Sequence, residues 1–131
     1  IRTPHPIALI EERFGFLRGK AYLITEYSPG YPAERLIEKK DFENEPLLIV
    51  NLIKALLDNQ LVHGDLKAQN FLIEDNGACI LDLDSIFEVR NIKIHRMHIR
   101  KEIARFFRNW ENYPELRSIF HSHLKSMDLL N

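Results

Sequence analysis

The chain has 131 residues, 45% hydrophobic and 28% charged, a composition that argues against a disordered polypeptide and suits one domain with a modest core. Its net charge of -1 supplies no global attraction to polyanions, and no apolar run reaches the length of a membrane span. With one cysteine, Cys79, no disulfide can form within the chain, and this residue is expected as a small buried hydrophobe.

Arg2 to Pro6 is a Pro-containing lead-in. Gly15 to Gly19, a Gly-x-x-x-Gly stretch, reads as the turn of a hairpin. Ser28 to Pro32, punctuated by two prolines and Gly30, reads as a loop, and Ala33 to Lys40 as a short helix. A longer helix is predicted from Pro46 to about Asn59, with Pro46 in its first turn and Glu43 and Glu45 near its positive end. Leu48, Leu52, Ala55 and Leu56 share one face, which Leu47, Ile49, Ile53 and Leu57 widen, so this helix should be almost wholly buried. Asn59 suits a left-handed C-terminal cap.

The most informative stretch follows, from Val62 to Asp84. Phe71-Leu72-Ile73 and Cys79-Ile80-Leu81 read as short buried strands joined by Glu74-Asp75-Asn76-Gly77, in which Asn76-Gly77 is a strong hairpin signal. Such a hairpin returns Asp82 to the side of Asn70. Phosphoryl transfer needs a carboxylate near the attacking hydroxyl and oxygen ligands for magnesium, and the order Asp65, Lys67, Asn70, Asp82 can supply both. Asp65 would orient the acceptor hydroxyl and take its proton, Lys67 would neutralise charge on the transferred group, and Asn70 and Asp82 would hold the metal. His63 is read as a structural core residue.

Further on, apolar Ile99, Ile103, Phe106, Phe107 and Trp110 follow a helical period from His95 to Trp110. Arg96, Arg100, Lys101, Arg105 and Arg108 collect on the other face, with Arg90 and Lys93 just upstream. A solvated helix surface accounts for such a run; the functional reading is a cationic surface for phosphates and acidic sugars at a membrane face. Nucleic acid is not expected as a partner, since the aromatic residues lie on the apolar stripe and no nucleic-acid-binding motif is present. His95 and His98, and His121 and His123, lack the companions a zinc site needs. A last helix is predicted from about Pro114 to Lys125, with Leu116, Ile119, Phe120 and Leu124 toward the core.

His63-Gly-Asp-Leu-Lys-Ala-Gln-Asn70, the hairpin and Asp82-Leu-Asp84 resemble the catalytic loop and metal-binding segment of a protein-kinase-like fold. Within that superfamily the chain resembles the C-terminal part of bacterial lipopolysaccharide core kinases. Residues 8–14 and 20–27 are similar to the last two strands of the N-terminal lobe, and Arg105 to Trp110 with Pro114-Glu115-Leu116 to the C-terminal helices. The fold class this implies is α+β: the last N-lobe hairpin over residues 1–27, a hinge over 28–32, and a mostly helical C-lobe over 33–131 that carries the catalytic-loop hairpin. The resemblance implies ATP and Mg2+ as cofactors, with Glu26 and Tyr27 at the hinge meeting adenine and Asn70 and Asp82 serving nucleotide and metal.

Three departures from protein kinases bear on the acceptor. Gly64 stands where many carry an Arg that grips a phosphorylated activation loop, Leu83-Asp84 replaces Phe-Gly, and too few residues precede the next helix for an activation segment. These favour a sugar or other small-molecule acceptor over a peptide. The expected activity is therefore phosphorylation of a lipopolysaccharide core sugar. Alternatives are a kinase of the aminoglycoside or choline phosphotransferase type, from which Lys67 departs, and a non-catalytic kinase-like binding domain. The implied place is cytoplasmic, peripheral at the inner membrane through the basic helix. No Gly-rich phosphate loop or Val-Ala-Ile-Lys strand is present, so the chain is expected to be a fragment that alone binds nucleotide poorly.

Overall fold

The computed structural model describes residues 1–42, 44–75 and 77–130. Glu43, expected near the start of the long helix, and Asn76 of the expected hairpin turn lie outside the described residues. Strands β1 (Pro6–Phe14) and β2 (Leu17–Thr25) form an antiparallel hairpin. Its turn is shorter than the Gly15 to Gly19 stretch suggested. Gly15 takes a positive φ of 63° beside Phe16, while Gly19 lies inside β2 at a register shift near Glu12. Alternation places Ala8, Ile10, Tyr22 and Ile24 on one face, and Leu9, Ala21 and Leu23 on the other. Both faces are exposed.

The rest of the chain builds one core. β3 (Tyr31–Pro32) pairs with β5 (Phe71–Glu74), which pairs with β6 (Gly77–Ile80). Here the approach is close enough to exclude a side chain at Gly30, whose Cβ would stand 2.6 Å from the Ile73 carbonyl oxygen. Ala33–Glu38 is a 3-10 helix rather than the α-helix expected to Lys40. Helix α1 (Glu45–Asp58) buries Ile49, Val50, Leu52, Ile53 and Leu56. Its end departs from expectation: Asn59 is not left-handed, but donates its side-chain amide to the Ala55 carbonyl at 2.7 Å, and Gln60 takes the positive φ of 57°.

A two-residue strand β4 (Leu61–Val62) pairs with β7 (Phe87–Glu88), so the segment after Asp82 returns beside the one before His63. Helix α2 (Ile92–Arg108) starts before His95 because the Asn91 side chain accepts from the backbone N–H groups of Lys93 and Ile94. Helix α3 (Pro114–Ser126) packs on α1 and buries Leu116, Phe120 and Leu124. Phe106 centres the core, with Phe120 at 4.9 Å, Trp110 at 5.7 Å and Phe71 at 5.8 Å between ring centroids. Among the described residues, no helix is long and apolar enough to cross a membrane.

Candidate active site

The loop from Val62 to Asn70 is held on both sides by backbone bonds, and this decides where its polar side chains stand. His63 is fully buried, and its Nδ1 accepts from the Asp65 N–H at 3.3 Å. That contact leaves the proton on Nε2, which donates to the Leu81 carbonyl at 2.9 Å. The Leu81 N–H in turn donates to the Asn70 carbonyl at 2.8 Å. Leu81 is thus pinned at both ends, and Asp82, the next residue, is brought beside Asn70 as the sequence spacing anticipated. The Asn70 side-chain amide donates to the Asp65 carbonyl at 2.9 Å, which leaves Oδ1 as its acceptor atom. Lys67 pairs with the Asp65 carboxylate at 2.5 Å, both partly exposed.

Asp82 is exposed and takes a left-handed backbone, φ 57° and ψ 62°, a conformation costly for a residue with a side chain and concentrated at functional sites. Asn70 Oδ1 and the Asp82 carboxylate are hard oxygen donors of the type magnesium takes, while phosphate oxygens and water ordinarily complete its shell. Among the described residues, no group of three or more His, Cys, Asp or Glu side chains gathers as a metal site. His95 is buried with Nε2 3.3 Å from the Leu61 carbonyl, and His98 packs edge-on against Phe87 at 5.3 Å.

Sequence reasoning missed a clamp on Gly64. Its N–H donates to Glu102 Oε2 at 3.1 Å, and Arg105 donates to its carbonyl at 2.5 Å and to Glu102 Oε1 at 2.9 Å. Gly64 needs to be glycine: φ is 88°, and a Cβ would stand 2.6 Å from the Ser85 carbonyl oxygen. Arg105 therefore leaves the basic surface to which its spacing assigned it, because a buried carboxylate needs a cation beside it. The readable signal was Glu102, the one acid of α2, lying on the stripe of Ile99, Ile103 and Phe106. Arg96, Arg100, Lys101 and Arg108 are exposed, as expected.

At the hinge, Glu26 and Tyr27 are exposed and border a 210 Å³ cleft with Ser28, Glu74 and Cys79. The Ser28 hydroxyl donates to Glu74, which also pairs with Arg2 at 2.5 Å, so hinge, lead-in and β5 meet at one buried carboxylate. Burial pushes the Cys79 thiol above its ordinary pKa.

The sequence profile described as RIO domain matches residues 18–119. No curated protein matches the chain. Among solved structures, the chain is similar to the Rio2 kinase–ADP/Mg2+–phosphoaspartate complex from Chaetomium thermophilum, at 17% identity and a TM-score of 0.55. That match covers 85% of this chain and 33% of the other. It is also similar to a divergent kinase lacking the glycine-rich loop that regulates membrane ultrastructure of the Toxoplasma parasitophorous vacuole, at 16% identity and a TM-score of 0.50. Here 99% of this chain and 50% of the other are covered. The chain thus spans a third to a half of the structures it resembles, and its fold is the mixed α+β kinase-like one. The expected kinship with lipopolysaccharide core kinases is overturned by the RIO match, which runs from β2 through the loop and α2 into the first half of α3.

Proposed function

The chain belongs to the RIO domain family, and from that premise we propose that it supplies the hinge and catalytic loop of an ATP- and magnesium-dependent phosphotransferase. Asp65 takes the proton of the acceptor hydroxyl, and Lys67 both holds that carboxylate and offsets charge on the phosphoryl group in flight. Asn70 Oδ1 and Asp82 are the magnesium ligands, and Glu26 and Tyr27 carry the hinge backbone toward adenine. Magnesium, when bound, neutralises phosphate charge. Support for ATP and Mg2+ comes from the ADP and Mg2+ of the Rio2 complex. The observation that supports this reading best is the circuit from Asp65 through Asn70 and Leu81 to His63, which ties Asp65, Asn70 and the residue before Asp82 into one hydrogen-bonded frame.

The test is calorimetry and kinetics on the chain joined to a complete N-terminal lobe, because alone it is expected to bind nucleotide poorly. Asp65→Ala should abolish most phosphoryl turnover while ATP still binds, and Asp82→Asn should remove the magnesium dependence of nucleotide binding. Unchanged turnover in the first, or unchanged magnesium dependence in the second, overturns the corresponding role.

A second reading concerns the acceptor. The Rio2 complex contains a phosphoaspartate, and this site presents exposed Asp82 and Asp84. A carboxylate oxygen would attack the γ-phosphorus, the bond to the β-phosphate oxygen would break, and ADP would leave. Label from γ-labelled ATP that hydroxylamine releases from the protein supports this reading; acid-stable label alone supports a hydroxyl acceptor.

A further inference from the structure

Away from the catalytic loop, the end of α1, the first half of α2 and the turn after α3 enclose an open groove of about 330 Å³. Its apolar lining includes Leu57, Ile99, Met127 and Leu129. A second depression of about 260 Å³ shares Arg100 and Leu129 with it and continues along α2 past Ile103 to Phe107. Together they border α2 from Ile92 to Phe107, roughly 22 Å at the helical rise.

The charges around this groove are unevenly placed. On the α1 wall Lys54 and Asp58 neutralise each other at 2.5 Å. On the α2 wall Arg96 and Arg100, one turn apart, are exposed and make no ion pair among the described residues. The lone acid of α2, Glu102, is buried against Gly64 and Arg105, so none faces solvent to offset them. Asp128, on the remaining wall, has an interaction of its own. An apolar trough with an unneutralised cationic wall on one side suits an amphipathic helix whose acids flank its apolar stripe. A flat membrane surface would instead need several apolar residues to stand proud; of the apolar lining only Ile92 does, while Leu57, Met127 and Leu129 are half-buried along the concave walls.

We propose that this groove docks an acidic amphipathic helix of a protein partner, with its carboxylates against Arg96 and Arg100 and its apolar stripe over Leu57, Ile92, Met127 and Leu129. Planar guanidinium groups one turn apart suit such carboxylates. The site stands apart from the catalytic loop and does not depend on the proposed phosphoryl transfer.

The test is fluorescence anisotropy of the whole protein with a labelled synthetic helical peptide of about four turns, leucines on one stripe and glutamates flanking it. The glutamate peptide should bind, while its glutamine counterpart and the Arg96→Glu/Arg100→Glu variant should each lose about tenfold in affinity. Circular dichroism melting reports whether that variant folds, and Arg96→Gln/Arg100→Gln, with a smaller loss of the same sign, stands in if it does not. Equal affinity for the two peptides, or for parent and folded variant, overturns the proposal. So does binding to phosphatidylserine vesicles without binding to the peptide, which would assign the basic face to lipid.

Discussion

Arg105 shows how far a residue's role can lie from its sequence spacing. Read by periodicity it is one of five cations on a helix surface; in the fold it is half-buried between Glu102 and the Gly64 carbonyl. Arg105→Met should therefore destabilise the protein by about 1–3 kcal/mol, since it leaves a buried carboxylate poorly paired. Arg96→Met should change stability by no more than about 0.5 kcal/mol, as exposed unpaired cations do. Urea unfolding midpoints distinguish the two, and equal midpoints would return Arg105 to the solvated surface. Cys79 gives a second residue-level expectation. Its raised thiol pKa lowers the thiolate fraction near neutral pH, and burial blocks access as well. Labelling by a disulfide reagent should be slow in the folded protein and should accelerate with unfolding. Immediate stoichiometric labelling of the native state would contradict its placement.

At the scale of elements, the contrast is between the β1–β2 hairpin and the β5–β6 hairpin. The second is covered by α1 and carries Phe71, Ile73, Ala78, Cys79 and Ile80 into the core. The first packs mainly on itself and leaves Leu9, Phe14, Leu17 and Leu23 more than half exposed. A two-stranded hairpin without a covering layer is marginal in water. Hydrogen exchange should therefore show β1 and β2 amides opening with much lower free energy than those of α1, β5 and β6. Comparable protection in both hairpins would mean that the first is covered in solution. Turn chemistry announced both hairpins in the sequence, but it could not say that the first has two apolar faces and no cover within the described residues.

For the molecule as a whole, stability concentrates where α2, α3 and β5 converge on Phe106. Phe106→Ala removes a ring that meets four other aromatic residues and should cost about 3–5 kcal/mol. Thermal or urea unfolding measures it, and a loss under about 1 kcal/mol would mean that the helices do not close on this ring as described. The loop carrying Asp65 hangs from the same frame through Gly64, Glu102 and Arg105, so core packing and site geometry are expected to soften together.

Local physics was legible in the chain. The spacing of Asp65, Lys67 and Asn70, the apolar periods of α1 and α3 and the strands on either side of the Glu74 to Gly77 turn each depend on residues within a few positions of one another, and the α+β kinase-like fold was implied by the resemblance that the loop carries. Tertiary structure alone decided what depends on distant partners: Glu102 and Arg105 meeting Gly64 from about forty positions away, and the His63 ring meeting the Leu81 carbonyl. The narrower kinship was misread because the loop motif serves phosphoryl transfer, and its residue types are set by that chemistry rather than by the acceptor. The apolar groove beside Arg96 and Arg100 was equally invisible in sequence, because its three walls come from segments that meet only when the chain is folded.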